Sequence, residues 1–227
     1  MDRILVIAAH PDDEVLGMGG TIAKLASQGK EVHLLIVTDG STSQYKDSEN
    51  IGEILDSKKQ ETKKASDILG IKSIMYGMLP DMKLDVTPHI DVNQVIEKTI
   101  DYIKPDTVFT HFWGDVNMDH RCIYHSTMVA VRPVMSQCVK EVYCYSVPSS
   151  TEWSPAVLQT TFMPNLFVDI SKEAPLKYKA MKAYETELRD YPHPRSVEYL
   201  KKDDEAVGLR VGVKAAESFV MLRKLGI

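Results

Sequence analysis

"RILVIAAHPDDEVLGMGGTIAKLASQGKEVHLLIVT", residues 3–38, sets two apolar runs around a helical pattern, and its reading decides the fold. Residues 3–9 are almost continuously apolar, as expected of a strand buried on both faces of a parallel sheet. Residues 31–38 are β-branched and aliphatic in the same way. Residues 13–28 between them read as a helix, with Ile22, Leu25 and Ala26 on one face and Gly29 as its stop. Together they make a βαβ unit, and a right-handed crossover places the second strand beside the first.

The alternation continues outward from there. A polar, turn-rich loop (39–50) precedes an amphipathic helix (53–70) ended by Gly70, then a short strand (72–77). A helix over 89–104 spaces Ile90, Val95, Ile96, Ile100 and Ile103 for one buried face, with Pro105 after its end. A strand at 106–110, a helix from about 119 to 136 and a strand at 141–147 follow. Strands alternating with helices predict an α/β, Rossmann-like, doubly wound and mostly parallel sheet flanked by helices. Beyond Pro148 the periodicity weakens: a strand at 166–170, a Lys-rich helix at 172–188, and "YPHPRS", whose prolines force a bend. The expectation is one domain over 1–227, with a core of about 1–148 and a C-terminal extension, 149–227, of underivable topology.

Composition narrows the class. With 44% hydrophobic and 26% charged residues, the chain has the make-up of a soluble globular protein. Its net charge of −5 and pI near 5.8 argue against nucleic acid or an anionic membrane as the main partner. No apolar run approaches the ~18 residues of a membrane span, and the N-terminal run leads straight into charged residues, unlike a signal peptide. Cys122, Cys138 and Cys144 match no zinc or redox spacing, so the expectation is a reduced, cytoplasmic protein.

In open α/β sheets ligands bind outside the carboxyl ends of the strands, where the strand order reverses. His10, Asp12 and Asp13 stand at the exit of the first strand; the loop after the fourth delivers Asp115, Asn117, Asp119 and His120 to the same crevice. His10 and Asp13, three apart across a tight turn, can reach one point, and His120 faces them. Two imidazoles and a carboxylate are the three N/O ligands of a catalytic zinc site with one position open. Asp12 is then placed as general base for water at the metal.

"AHPDDEVLGMGGTIAKLASQGKEV", followed by "DVNMDHR" and "PSSTEW", closely resembles the LmbE/PIG-L family of zinc-dependent N-deacetylases. The resemblance covers about the first two-thirds of the chain, with further similarity in "PHPRS" near residue 194. It implies removal of acetyl from an N-acetylglucosamine-type sugar or glycoconjugate, with zinc on His10, Asp13 and His120 and Asp12 as base. Another divalent transition metal is compatible with such donors. The resemblance also leaves a homo-oligomer open. Two positions depart from the pattern. Asn117 stands where many relatives have a histidine; its amide can donate to an oxyanion but cannot shuttle a proton. Lys58 stands where relatives often carry arginine, which weakens any bidentate clamp on substrate.

Other readings compete. Asp12 or Asp13 can serve only as a helix N-cap. Gly17, Gly19 and Gly20, with Asp39 about twenty residues on, suggest a nucleotide-binding module, although "GMGGTI" lacks the third glycine of the dinucleotide fingerprint. A relative that kept the fold and lost catalysis is a further alternative. Asp119 is placed to orient a metal-bound histidine and Asp115 to cap the following helix. His111 is a candidate to sit behind the ligands, and Arg195 with His193 to reach the crevice or brace the extension. Trp113 and Trp153 offer aromatic faces to a sugar or simply pack. His33, His89 and His125 are left out of the site.

Overall fold

A computed structural model describes residues 1–40, 50–134 and 137–226. β1 (Arg3–Ala8) lies between β2 (Glu31–Thr38) and β4 (Thr107–His111), with β3 (Ser73–Leu79) outside β2 and β5 (Glu141–Tyr145) outside β4, all parallel. β7 (Ala216–Lys224) joins β5 antiparallel and carries β6 (Leu166–Asp169) antiparallel at the edge, giving the order β3-β2-β1-β4-β5-β7-β6. The strand order reverses between β1 and β4.

Alternate residues of the apolar strands feed two cores, as the two-residue period requires. Ile4, Val6 and Ala8 pack with α1 (Asp13–Ser27), α2 (Ile51–Leu69), α5 (Ala174–Met181) and α6 (Val197–Leu209). Leu5, Ile7, Leu35 and Val37 pack instead with α3 (His89–Ile103) and α4 (Met118–Ala130). The protein is thus a doubly wound, mostly parallel α/β sheet flanked by helices. Gly70 ends α2 in the left-handed region (φ +79), where a side chain would be strained.

Several expected elements differ. α4 stops at Ala130 rather than near 136, because Pro133 lacks the N–H a helix needs and restricts the residue before it. The helix expected over 172–188 ends at Met181; the chain then turns so that Tyr184 is buried, donating its phenol to Glu14 Oε1 at 2.5 Å. α6, capped by Ser196 accepting from the Tyr199 N–H (3.1 Å), has no counterpart in the sequence reading, and neither has β7. The 39–50 loop falls largely outside the described residues. The glycines of "GMGG" lie inside α1 and are buried. A Cβ on Gly20 would stand 2.7 Å from Ile170, and one on Gly17 would overlap Tyr145, so close packing accounts for them rather than a phosphate loop.

Candidate metal centre

Asp12 turns the chain from β1 into α1. Its backbone is left-handed (φ 108), a conformation uncommon for a residue with a side chain. Its carbonyl accepts the N–H groups of Val15 (3.0 Å) and Leu16 (2.9 Å), yet its side chain makes no cap bond. The N-cap-only reading of Asp12 is therefore corrected: the residue occupies the cap position with its carboxylate turned elsewhere. Asp13 Oδ2 accepts the N–H of Ala9 (3.1 Å) and His10 (2.8 Å), which closes the turn and sets His10 beside it. Across the crevice Asn117 caps α4, its Oδ1 accepting the Asp119 N–H at 2.9 Å.

Three atoms converge between these turns. His10 Nδ1, His120 Nε2 and Asp13 Oδ2 stand 3.4 Å from one another on all three sides. An ion held tetrahedrally at about 2.0–2.1 Å separates its ligands by about 3.3–3.4 Å, so the donor set fits a divalent cation. These residues form a His/Asp cluster that can hold a metal ion.

The far ring nitrogens are engaged. His10 Nε2 lies 3.1 Å from Asp119 Oδ2 and 3.3 Å from Asp81 Oδ1. His120 Nδ1 lies 3.0 Å from Asp115 Oδ2, which also accepts the hydroxyls of Ser150 (2.9 Å) and Thr151 (2.6 Å). Carboxylates so placed hold the inward nitrogens as lone-pair donors. Asp119 is further fixed by the N–H groups of Met82 (2.7 Å) and Leu84 (3.0 Å). His111 stacks on His120 with ring centroids 3.9 Å apart, and its Nε2 accepts the Ala9 N–H at 2.8 Å. Burial, joined by the charge of His120, pushes His111 well below the ordinary histidine range and keeps it neutral.

Charges are sharply divided here. Burial pushes the Asp12 carboxyl well above the usual range; Asp13 and Glu187 add to the rise and Arg195 opposes it. Asp13 is held well below that range in spite of burial, by the charge of His120 and bonds from both histidines. Against burial, Asp13 and Asp115 bring His120 up to about 9, and Asp119 and Asp13 hold His10 well above its ordinary value. Burial also raises Glu14 to about 7, with the Tyr184 bond opposing.

A cavity of about 180 Å³ opens above the three converging atoms, and Asp12, Lys58, Asn117 and Arg195 are among the residues lining it. Lys58 Nζ donates to Glu187 Oε1 (2.5 Å) and Gly40 O (2.7 Å). Arg195 donates to Glu187 Oε2 (2.6 Å), leaving its guanidinium 3.9 Å from Asp12 Oδ2, a buried oxygen with no hydrogen-bond partner among the described residues. The structure does not bring Asp39 here: it sits past β2, its N–H on Leu79 O, outside the lining of the cavity. Trp113 and Trp153 do not line it either. Asp81 and Glu187 escape a reading of the sequence. Asp81 follows a strand exit, the one signal available, whereas Glu187 lies in an irregular segment without any.

The chain belongs to the PIG-L family: the family model described as GlcNAc-PI de-N-acetylase matches residues 5–131. Among relatives, the uncharacterized deacetylase YaiS of Escherichia coli (strain K12) is 28% identical over 178 residues, 75% of this chain and 83% of that protein. The diacetylchitobiose deacetylase of Thermococcus kodakarensis is 28% identical over 195 residues, 82% of this chain and 70% of that protein. The conserved protein TT1542 from Thermus thermophilus shares the fold, with a TM-score of 0.78 at 24% identity over 100% of this chain and 97% of that one.

Proposed function

We propose that this protein is a zinc-dependent N-deacetylase that hydrolyses the acetamido group of an N-acetylglucosamine-type sugar or glycoconjugate. The observation that carries this reading is the 3.4 Å triangle of His10 Nδ1, His120 Nε2 and Asp13 Oδ2 beneath a cavity that Asp12 lines. Membership of a family of de-N-acetylases, and similarity to a diacetylchitobiose deacetylase, support the substrate class.

A divalent ion on His10, Asp13 and His120 supplies Lewis acidity to the amide carbonyl and to water. Asp12 does the proton work. Its Oδ2, which has no hydrogen-bond partner among the described residues, takes a proton from the attacking water and returns it to the departing amine. Asn117, its Oδ1 committed to the helix cap, has its amide Nδ2 left to donate toward the oxyanion, its acceptor among the described residues being the weak Met82 Sδ (3.7 Å). Lys58 and Arg195, joined through Glu187, form the cationic wall against which substrate hydroxyls are positioned. No helix among the described residues is long and apolar enough to cross a membrane. The cytoplasmic assignment belongs to this proposal and rests on three free cysteines.

Acetate release tests the proposal directly. Protein loaded with zinc is expected to liberate acetate from N,N'-diacetylchitobiose or related N-acetylhexosamines, to stop on chelation and to recover on zinc addition. Full turnover by ion-free protein would sink the metal role. Silence of the zinc-bound protein across a broad panel would favour the relative that has lost catalysis.

Metal binding carries its own pH signature. His10 and His120 hold protons above the ordinary histidine range in the ion-free protein, His120 up to about 9. Those protons must leave before the nitrogens can ligate, so affinity falls with acidification and climbs toward pH 9. The expected rise is about tenfold or more per pH unit between pH 6 and 8, measured by chelator competition. A flat profile would mean that other donors hold the ion.

A further inference from the structure

A second cavity opens at the same edge of the sheet, across the turn that follows β5. Ser149 and Ser150 line the cavity above the metal centre, whereas Pro148 and Thr151 line the second one. At about 300 Å³ it is the larger of the two, within the lower range of spaces that hold small ligands. The proposed hydrolysis makes no use of it.

Its lining carries an unbalanced charge. Lys177 of α5 is buried and bridges Asp204 of α6 (2.7 Å) and Glu217 of β7 (2.8 Å). Glu217 is fully engaged: it also accepts the N–H groups of Gly20 (3.0 Å) and Thr21 (2.6 Å), close to where Met18 departs from helical geometry. Asp204 is not. Its Oδ1 takes Lys177, while its buried Oδ2 makes no well-formed hydrogen bond among the described residues, although the Tyr178 phenol lies close enough that burial and Asp204 together hold that phenol above its ordinary range. The half-buried Asp203 and the exposed Glu152 add two more carboxylates to the lining, against the exposed Arg210. Lys177 is already neutralised by its partners, and burial in this sheltered space raises the carboxyls of Asp203 and Asp204, the latter to about 7, a cost that a cation beside them would offset. Such a space selects a cation. Ser146 and Ser218 line it together with Tyr199, polar and aromatic residues of the kind that suit a hydroxylated carrier.

We propose that this cavity binds a small organic ammonium compound bearing hydroxyl groups, its charge set against Asp203 and Asp204. The site is coupled to the metal centre. Thr151 lines the cavity, its hydroxyl donates to Asp115 Oδ2 (2.6 Å), and the same oxygen holds His120 Nδ1 (3.0 Å). An occupant that displaces Thr151 therefore acts on a metal ligand through two hydrogen bonds. An amino sugar, the product class of a sugar deacetylase, has the required chemistry. That identification rests on the functional reading above, whereas the binding itself does not.

The test titrates D-glucosamine, and D-glucose as its uncharged counterpart, into the zinc-loaded protein while backbone amides are followed by NMR. Gly17 and Ser218 report on the second cavity and Gly40 on the one above the metal. The expected result is a saturable shift of Gly17 and Ser218 with glucosamine, at least tenfold tighter than with glucose. Asp203→Asn, at a half-buried position, should weaken it at least tenfold at unchanged Tm. Shifts confined to Gly40, equal responses to the two sugars, no effect of the folded variant, or no response up to about 10 mM would each overturn the proposal. The readout is binding rather than turnover, so failure here is separable from failure of the deacetylase reading.

Discussion

His120→Ala is expected to strip the protein of its metal and, with it, of activity: less than a tenth of the wild-type zinc content and a drop of roughly a thousandfold or more in kcat/KM. The magnitude follows from the donor count. Weakening a carboxylate that merely orients a ligand costs about 10–100-fold in metal affinity. Removing one of three ligands outright must cost more. The fold should survive, because the Asp115 carboxylate left behind keeps the hydroxyls of Ser150 and Thr151 and the N–H of Asn117 (2.8 Å). Elemental analysis beside a thermal melt checks both halves. A folded variant that retains stoichiometric zinc would remove His120 from the ligand set and undo the functional reading.

Asp12→Asn is expected to separate chemistry from metal binding. The amide matches the carboxylate in shape but cannot take up a proton, so kcat should fall about 10²–10⁴-fold, the range of a lost general base. Zinc content should stay at the wild-type level, since the triangle of donors does not include Asp12. KM should change little if the residue handles protons rather than substrate. Activity within threefold of wild type would reassign the base, with Glu14 the next buried carboxylate beyond the ligand Asp13.

The parts of this molecule that can be read in advance are those written locally. The β1–α1–β2 unit follows from apolar runs whose period matches burial on two faces, and the His10–Asp13 turn from residues only three apart. The outer sheet resists because its pairing is not local: β7 inserts between β5 and β6, and no periodicity in residues 216–224 announces which neighbours they take. The 111–120 stretch misleads in a more instructive way. Asp115, Asn117 and Asp119 are all capable helix caps. Asn117 takes the cap, which leaves Asp115 to hold His120 and Asp119 to hold His10. Local rules name the candidates there, and tertiary placement distributes the roles. Glu187 shows the limit, since its meaning comes wholly from Lys58 and Arg195 arriving from distant segments.

The bonds from Glu217 to the Gly20 and Thr21 amides span 197 and 196 residues. During synthesis α1 thus leaves the ribosome with those amides turned to water or to carbonyls of its own turn, and their native carboxylate partner arrives only when β7 has emerged. β6 must likewise wait for β7, the strand it pairs with among the described residues. Maturation of the nascent polypeptide is therefore gated by β7, and a product stalled or clipped ahead of that strand would leave a much earlier helix incomplete rather than merely lose a tail.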